Sequence, residues 1–249
     1  TKVTEVQIPV PYGSIAGKWF GPKNVRPILC LHGWLDNSGT FDRLIPLLPP
    51  DVSFLAIDLP GHGYSSRIPD GMSYFQVDCI PLILRIMREY GWSKVSLMAH
   101  SMGAVIMFIF AALFPDKVDL LIGLDALKPL SFYPDRFPER MHKQVLKFIQ
   151  ADLRNQEKSE PPSYTRLKYG TGFLWSQEVN KRLAQNLTMP FLFVKATESP
   201  YWERKQYYDE VIEILERNNA RFELRYVEGT HHVHLSHPER VAPVVADFL

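Results

Sequence analysis

Only two cysteines occur in the 249 residues, Cys30 and Cys79, and neither lies in a C-x-x-C or zinc-type spacing. That excludes a disulfide framework and a cysteine-based metal site, and the expectation is a reducing compartment. Charge of one sign is lacking too. The formal net charge is +1, with charged residues spread along the chain, which excludes the basic footprint of a nucleic-acid binder and the charged tail of an interaction arm. No apolar run reaches the roughly 18 residues of a membrane span. The stretch TKVTEVQIPVPYG has no signal-peptide core, so a chain without a membrane span or address label is expected. Internal repeats and low-complexity segments are missing as well. Asn186-Leu187-Thr188 fits a glycosylation acceptor, but that tripeptide is common by chance.

Hydrophobic residues make up 46% of the chain, enough for the core of one large α/β domain. TEVQIPV and SIAGKWF read as extended, separated by the turn residues Pro11, Tyr12 and Gly13 as in a hairpin. Continuous apolar runs follow in PILCLHG, VSFLAIDLPGHG, KVSLMAHS, VDLLIGLDA, PFLFVKATES and RFELRYVEGTHH. Continuous hydrophobicity marks strands covered on both faces, hence a parallel sheet. Helical patterns at 74–90, 102–114, 205–218 and 239–249 lie between or after these runs. The alternation predicts an α/β fold, a mostly parallel central sheet with helices on both faces. Residues 126–189 break it: MHKQVLKFIQADL and SQEVNKRLAQNL are helix-like, flank the polar NQEKSEPPSYT, and enclose no buried strand. The expected division is a core of 1–125 and 190–249 with a helical cap insertion at 126–189.

The stretch SLMAHSMGAVIMF places a lone serine, Ser101, between an apolar strand pattern and an apolar helix pattern. Ala99 and Gly103 flank it at two positions, and a strained turn that lifts a nucleophile above a sheet needs small neighbours there. AHSMG resembles the G-x-S-x-G nucleophile elbow of the α/β-hydrolases, with alanine in place of the first glycine. The turn would aim the Met102 N–H at the reacting oxygen. LHGWLDN follows a buried strand, where a glycine lets the chain approach a substrate closely. By resemblance to the family's His-Gly-x motif, Gly33 would form that bend and Trp34 would supply the second N–H of an oxyanion hole. DLPGHGYSS resembles the family's Asp-x-x-Gly-x-Gly-x-Ser loop, in which Asp58 and His62 hold the loop.

The histidine of such a site follows the last strand. The family pattern is Gly-x-His, with a proline seven residues after the histidine and then an amphipathic helix. Gly229, His231 and Pro238 fit it, which leaves His232, His234 and His237 as bystanders. A rival reading puts a metal on His231, His234 and His237, spaced three apart. Gly229 and Pro238 bracket the segment as a loop and no H-E-x-x-H pattern supports a metal, so no metal is expected. For the acid, Asp125 ends LLIGLDALKP and Glu198 lies in VKATES after the next strand; both positions face the active-site end of a parallel sheet. Asp125 is favoured, because GLDALKP resembles the lipase variant of the fold and ATES lacks the usual aspartate. Glu198 is the alternative.

Together these motifs resemble an α/β-hydrolase over essentially the whole chain, and the KAT strand and HHVHLSHP run are similar to the serine hydrolase-like (kraken-type) group. The resemblance implies a metal-free and cofactor-free serine hydrolase, cytosolic or peroxisomal, acting on a small apolar ester through Ser101, His231 and Asp125. No nucleic-acid partner is implied, and oligomeric state is left open. It also implies a longer cap than this chain holds, with residues absent near Thr165 and Arg166. A serine nucleophile argues against the epoxide hydrolases and haloalkane dehalogenases of the fold, which use aspartate. Two other functions share this framework: a ligand receptor with little turnover, and cleavage of a carbon–carbon bond beside a ketone.

Overall fold

The computed structural model describes residues 2–69, 72, 74–131 and 175–249, and within 138–150 all positions except 140, 144 and 148. Eight strands form one sheet: β1 (Val3–Val10), β2 (Gly13–Phe20), β3 (Ile28–Leu31), β4 (Phe54–Ile57), β5 (Val95–His100), β6 (Val118–Leu124), β7 (Phe191–Ala196) and β8 (Phe222–Val227). Their spatial order is β1-β2-β4-β3-β5-β6-β7-β8. β1 and β2 are an antiparallel hairpin and β2 joins β4 antiparallel; every other pairing is parallel.

Strand position explains the hydrophobic patterns. Every residue of β3, β4 and β7 is buried, as their unbroken apolar runs require, whereas β1 at the edge alternates between exposed and covered positions. Side chains of successive residues point to opposite faces. Leu55 and Ile57 thus join one apolar cluster while Phe54 and Ala56 join the other. The first face is covered by helices Cys79–Glu89, Met102–Leu113, Gln177–Ala184 and Lys205–Asn218, and the second by helix Pro238–Phe248 with two short 3₁₀ turns. Helix Met102–Leu113 is buried on nearly all sides, which is why its sequence lacks a polar stripe. The sequence-predicted helix at 205–218 is Lys205–Asn218, and that at 74–90 divides into a 3₁₀ turn, Gln76–Asp78, and helix Cys79–Glu89.

The cap expectation falls largely outside the described residues. The described positions within 138–150 are helical, and a single parallel bridge joins Ser131 to Trp175. Helix Gln177–Ala184 packs on the body, with Leu183 and Ala184 in the same cluster as helix Met102–Leu113. The join at Thr165 and Arg166 lies outside the described residues.

The chain runs from β3 out to β4 and returns to β5 on the other side of β3, so β3 and β5 lie side by side where strand order reverses. In open α/β sheets ligands bind at the carboxyl ends of strands at such a switch point. Leu31 pairs with Ala99 and His100 with Leu124, which brings the ends of β3, β5 and β6 together. The approach of helix Met102–Leu113 to β3 is tight: a Cβ on Gly103 would lie 2.3 Å from the Leu31 carbonyl oxygen and 2.7 Å from that of His32. Alanine raises helix propensity by about 1 kcal/mol over glycine at an open site, but here overpacking, costing about 1–3 kcal/mol, opposes it. Because the clash is with backbone, the upper part of that range applies and leaves a net cost of about 1–2 kcal/mol, so Gly103→Ala is expected to lower the thermal midpoint by about 2–8 °C, given roughly 2–4 °C per kcal/mol in a chain of this size. An unchanged or raised midpoint in a circular-dichroism melt contradicts the close approach.

Candidate active site

Ser101 occupies the sharp turn between β5 and the helix beginning at Met102, with φ 51° and ψ −117°. Such a backbone is costly for a non-glycine residue and persists only where the surroundings enforce it. Its carbonyl accepts the N–H groups of Ala104 and Val105, and its own N–H donates to Leu124. Asp125, just past β6, also has a left-handed backbone, at φ 53°, and its N–H donates to the Val194 carbonyl. Two strained turns on neighbouring strand ends thus face one point.

His231 arrives on the loop after β8, which turns at Gly229 with φ 144° and is fastened to the loop after β7 by the Glu198 N–H on the Gly229 carbonyl. His231 Nε2 lies 2.9 Å from Ser101 Oγ, and its Nδ1 lies 2.6 Å from Asp125 Oδ2. Both ring nitrogens are therefore engaged, and Glu198 is exposed. Of the two carboxylates left open by the sequence, Asp125 is the one bonded to the histidine.

A residue without a role in the sequence reading completes the arrangement. Lys195, the single lysine of β7, has only 4% of its side chain exposed, and its Nζ donates to Asp125 Oδ1 at 2.8 Å. The same ammonium donates to the Ala196 and Ser199 carbonyls, which satisfies its three protons. The Ala196 N–H is a second donor to Asp125 Oδ1. The signal was present in VKATES, but a lysine at a strand end reads ordinarily as a solvated tip.

The remaining sequence candidates are nearby. A Cβ on Gly33 would lie 3.3 Å from that of Ser101, so the backbone leading into Trp34 borders the serine. Met102 opens its helix, and first-turn N–H groups have no partner within a helix. Trp34 and Trp202 are 53% and 62% exposed, and the Trp202 ring meets His231 edge-on at 6.0 Å. Asp58 accepts the Ser38 and Tyr64 N–H groups and His62 contacts the Pro60 carbonyl, so both brace their loop. His32 links that loop to the serine's side, accepting the Leu59 N–H at Nε2 while Nδ1 meets the Gly33 carbonyl. The rival grouping of His231, His234 and His237 does not converge: His234 Nε2 is bonded to Thr40, and His237 is exposed beside Glu239.

Comparison with known proteins gives the family. The model of the alpha/beta hydrolase fold family matches residues 26–164. The chain belongs to the α/β-hydrolase family. It is 36% identical to a probable serine hydrolase of Drosophila melanogaster, covering 98% of this chain and 87% of that protein. It is 30% identical to serine hydrolase-like protein 2 of Homo sapiens, covering 99% and 94%. Both alignments, over 290 and 298 positions, are longer than the 249-residue chain, so these relatives hold residues without a counterpart here. A hypothetical protein of Pseudomonas aeruginosa PAO1 is similar in structure, with TM-score 0.81 and 25% identity over 100% of this chain and 99% of that one. Among the described residues of this α/β-hydrolase, no helix is long and apolar enough to cross a membrane.

Burial raises the pKa of Asp125, but donors from His231, Lys195, Ser199 and Ala196 outweigh it and hold the carboxyl below its ordinary range. Burial lowers the pKa of four other histidines, His62 among them, and keeps the other three neutral. Burial, reinforced by His62, lowers His32 to about 4. Burial, reinforced by His232 and His231, lowers His234 to about 3. Burial, with His234 and His231 adjoining, puts His100 well below its ordinary value.

The unfolded chain protonates these three side chains below about pH 6.5, whereas the folded chain resists. Protons are then bound preferentially by the unfolded state, so stability falls as pH drops through that window. Asp125 adds a loss of the same sign at lower pH, where its depressed folded pKa is reached. Urea unfolding is therefore expected to lose several kcal/mol between about pH 7 and about pH 4.5, since each pH unit is worth about 1.4 kcal/mol per group. A constant unfolding free energy across that range contradicts the neutral burial of these rings.

Proposed function

We propose that this α/β-hydrolase is a serine esterase for small apolar esters, in which Ser101, His231 and Asp125 form a catalytic triad. The observation that carries the reading is the unbroken chain Ser101 Oγ, His231 Nε2 and Nδ1, Asp125 Oδ2, at 2.9 and 2.6 Å. A hydroxyl bonded to an imidazole that is bonded in turn to a buried carboxylate is the arrangement that makes a serine nucleophilic. The nucleophile and its base come from side chains, so the step requires no metal-activated water.

In this reading Ser101 Oγ attacks the acyl carbon while its proton passes to His231 Nε2. The carbonyl electron pair moves onto oxygen, where the Met102 and Trp34 N–H groups receive the charge. The intermediate collapses to the acyl-enzyme as the departing alkoxide takes the proton from His231. Water then attacks the acyl carbon with His231 as base, and the acid and free Ser101 are released. The exposed rings of Trp34 and Trp202, one beside Gly33 and one on His231, support an apolar group on the substrate. The division into a core of 1–125 and 190–249 and a cap at 126–189 belongs to the same proposal.

Lys195 acts in this scheme as a positioning residue. Its ammonium keeps Asp125 ionised and fixes Oδ1, which leaves Oδ2 for the imidazole. Lys195→Gln retains a donor and removes the charge. The acid limb of kcat/KM is expected to move up by about one pH unit, in line with the 1–3 units that a neighbouring charge shifts a pKa. A reduced rate with an unmoved limb contradicts this role and leaves a merely structural one.

The esterase reading is tested with a chromogenic short-chain ester. Ser101→Ala and His231→Ala are expected to reduce turnover to background with the folded-state spectrum retained. Asp125→Asn should cost about 10³–10⁴-fold in kcat through the wrong histidine tautomer, and Glu198→Gln less than tenfold. Inactive Glu198→Gln with active Asp125→Asn moves the acid to Glu198. Turnover that survives in Ser101→Ala rejects the triad.

A further inference from the structure

His100, the residue before Ser101, is 1% exposed, yet its Nδ1 has no hydrogen-bond partner. Its Nε2 lies 2.9 Å from the His231 carbonyl. A carbonyl only accepts, so Nε2 carries the ring proton and Nδ1 presents a lone pair. Asp36 lies on the loop after Gly33; its Oδ1 takes the Asn37 N–H, and its Oδ2 is buried without a partner. One ligand atom each from Asp36, His100 and His232 lie within 4.8 Å of one another. A buried acceptor without a donor is costly, and two residues of one cluster that each hold such an atom call for a cation or a bridging donor.

We propose that Asp36, His100 and His232 bind a divalent ion of the zinc type, and that the bound ion inhibits the hydrolase. One carboxylate and two neutral imidazoles are a ligand set that zinc accepts, with a further position left for water. Around a tetrahedral ion with bonds of about 2.0–2.2 Å, the ligand atoms lie about 3.3–3.6 Å apart. The exposed His232 side chain closes the remaining gap, on the order of one ångström, and marks the path of entry. The ring of His100 lies 4.7 Å and that of His232 5.0 Å from the ring of His231. Two positive charges there oppose the imidazolium that His231 must form when it accepts the Ser101 proton. His234 and Asp125 also adjoin the cluster; the first is neutral and bonded to Thr40, and the second is engaged by His231 and Lys195. The inhibition rests on the esterase reading, whereas the binding does not.

The full chain in metal-free buffer is titrated with Zn²⁺ alone by calorimetry, and with Co²⁺ by visible absorption. One saturable site is expected, with affinity reduced at least tenfold in Asp36→Asn and in His232→Ala and unchanged in Ser101→Ala and His237→Ala. In the ester assay Zn²⁺ should inhibit the wild type with the same midpoint, while His232→Ala keeps its basal activity and needs at least tenfold more metal. Binding of Zn²⁺ without any ester turnover supports the site and contradicts only the esterase reading. Absence of saturable binding, or affinity equal in Asp36→Asn and His232→Ala to that of the wild type, overturns the proposal and leaves a water as the donor between the two acceptors.

Discussion

The carboxylate of Asp125 is the constraint around which this end of the molecule is arranged. An ionised group so deeply buried costs several kcal/mol in lost hydration, and every feature around it supplies a partner. Lys195 and the Ala196 N–H hold one oxygen and His231 holds the other. The sheet makes this geometry available because β6 and β7 are adjacent and in register, with Leu124 beside Val194. Asp125 begins where that pairing ends, its N–H still tied to β7. The positive φ at Asp125 turns its side chain toward the loop after β8, and the positive φ at Ser101 performs the same turn one strand away.

Much of this fold was legible in the sequence, for a physical reason. Central strands buried on both faces read as PILCL and FLFV, while the edge strand VTEVQIPV alternates, so strand position is written in hydrophobic periodicity. Helix Met102–Leu113 was equally plain, because a helix buried all round has no polar stripe to obscure it. The serine was recognisable through its neighbours: at Gly103 any larger side chain meets the Leu31 and His32 carbonyls. For the carboxylate the sequence favoured Asp125 without excluding Glu198. Asp125 and Glu198 follow the ends of adjacent strands, and only the backbone angles at each end determine which side chain reaches the histidine.

What stayed hidden was long-range and charged. Lys195 looks like a solvated strand tip until the sheet places Asp125 beside it. Asp36 lies on the loop after β3, His100 ends β5 and His232 lies on the loop after β8, and HHVHLSH offers four histidines with nothing in their spacing to separate an exposed ring from a buried one. The fold assigns them different surroundings. His231 has both nitrogens bonded, His234 is buried against Thr40, and His232 and His237 are exposed. The same residue type thereby occupies a doubly bonded, a buried and an exposed position within seven residues.

The central claim is that Ser101 is a nucleophile activated by its two neighbours in the hydrogen-bonded chain. A fluorophosphonate reagent tests it without knowledge of the substrate, because the reagent bonds covalently only to an activated serine. Intact-mass spectrometry followed by peptide mapping is expected to find one adduct, on Ser101, that forms rapidly in the wild type and at a small fraction of that rate in His231→Ala. No adduct, or an adduct on a serine other than Ser101, contradicts the account.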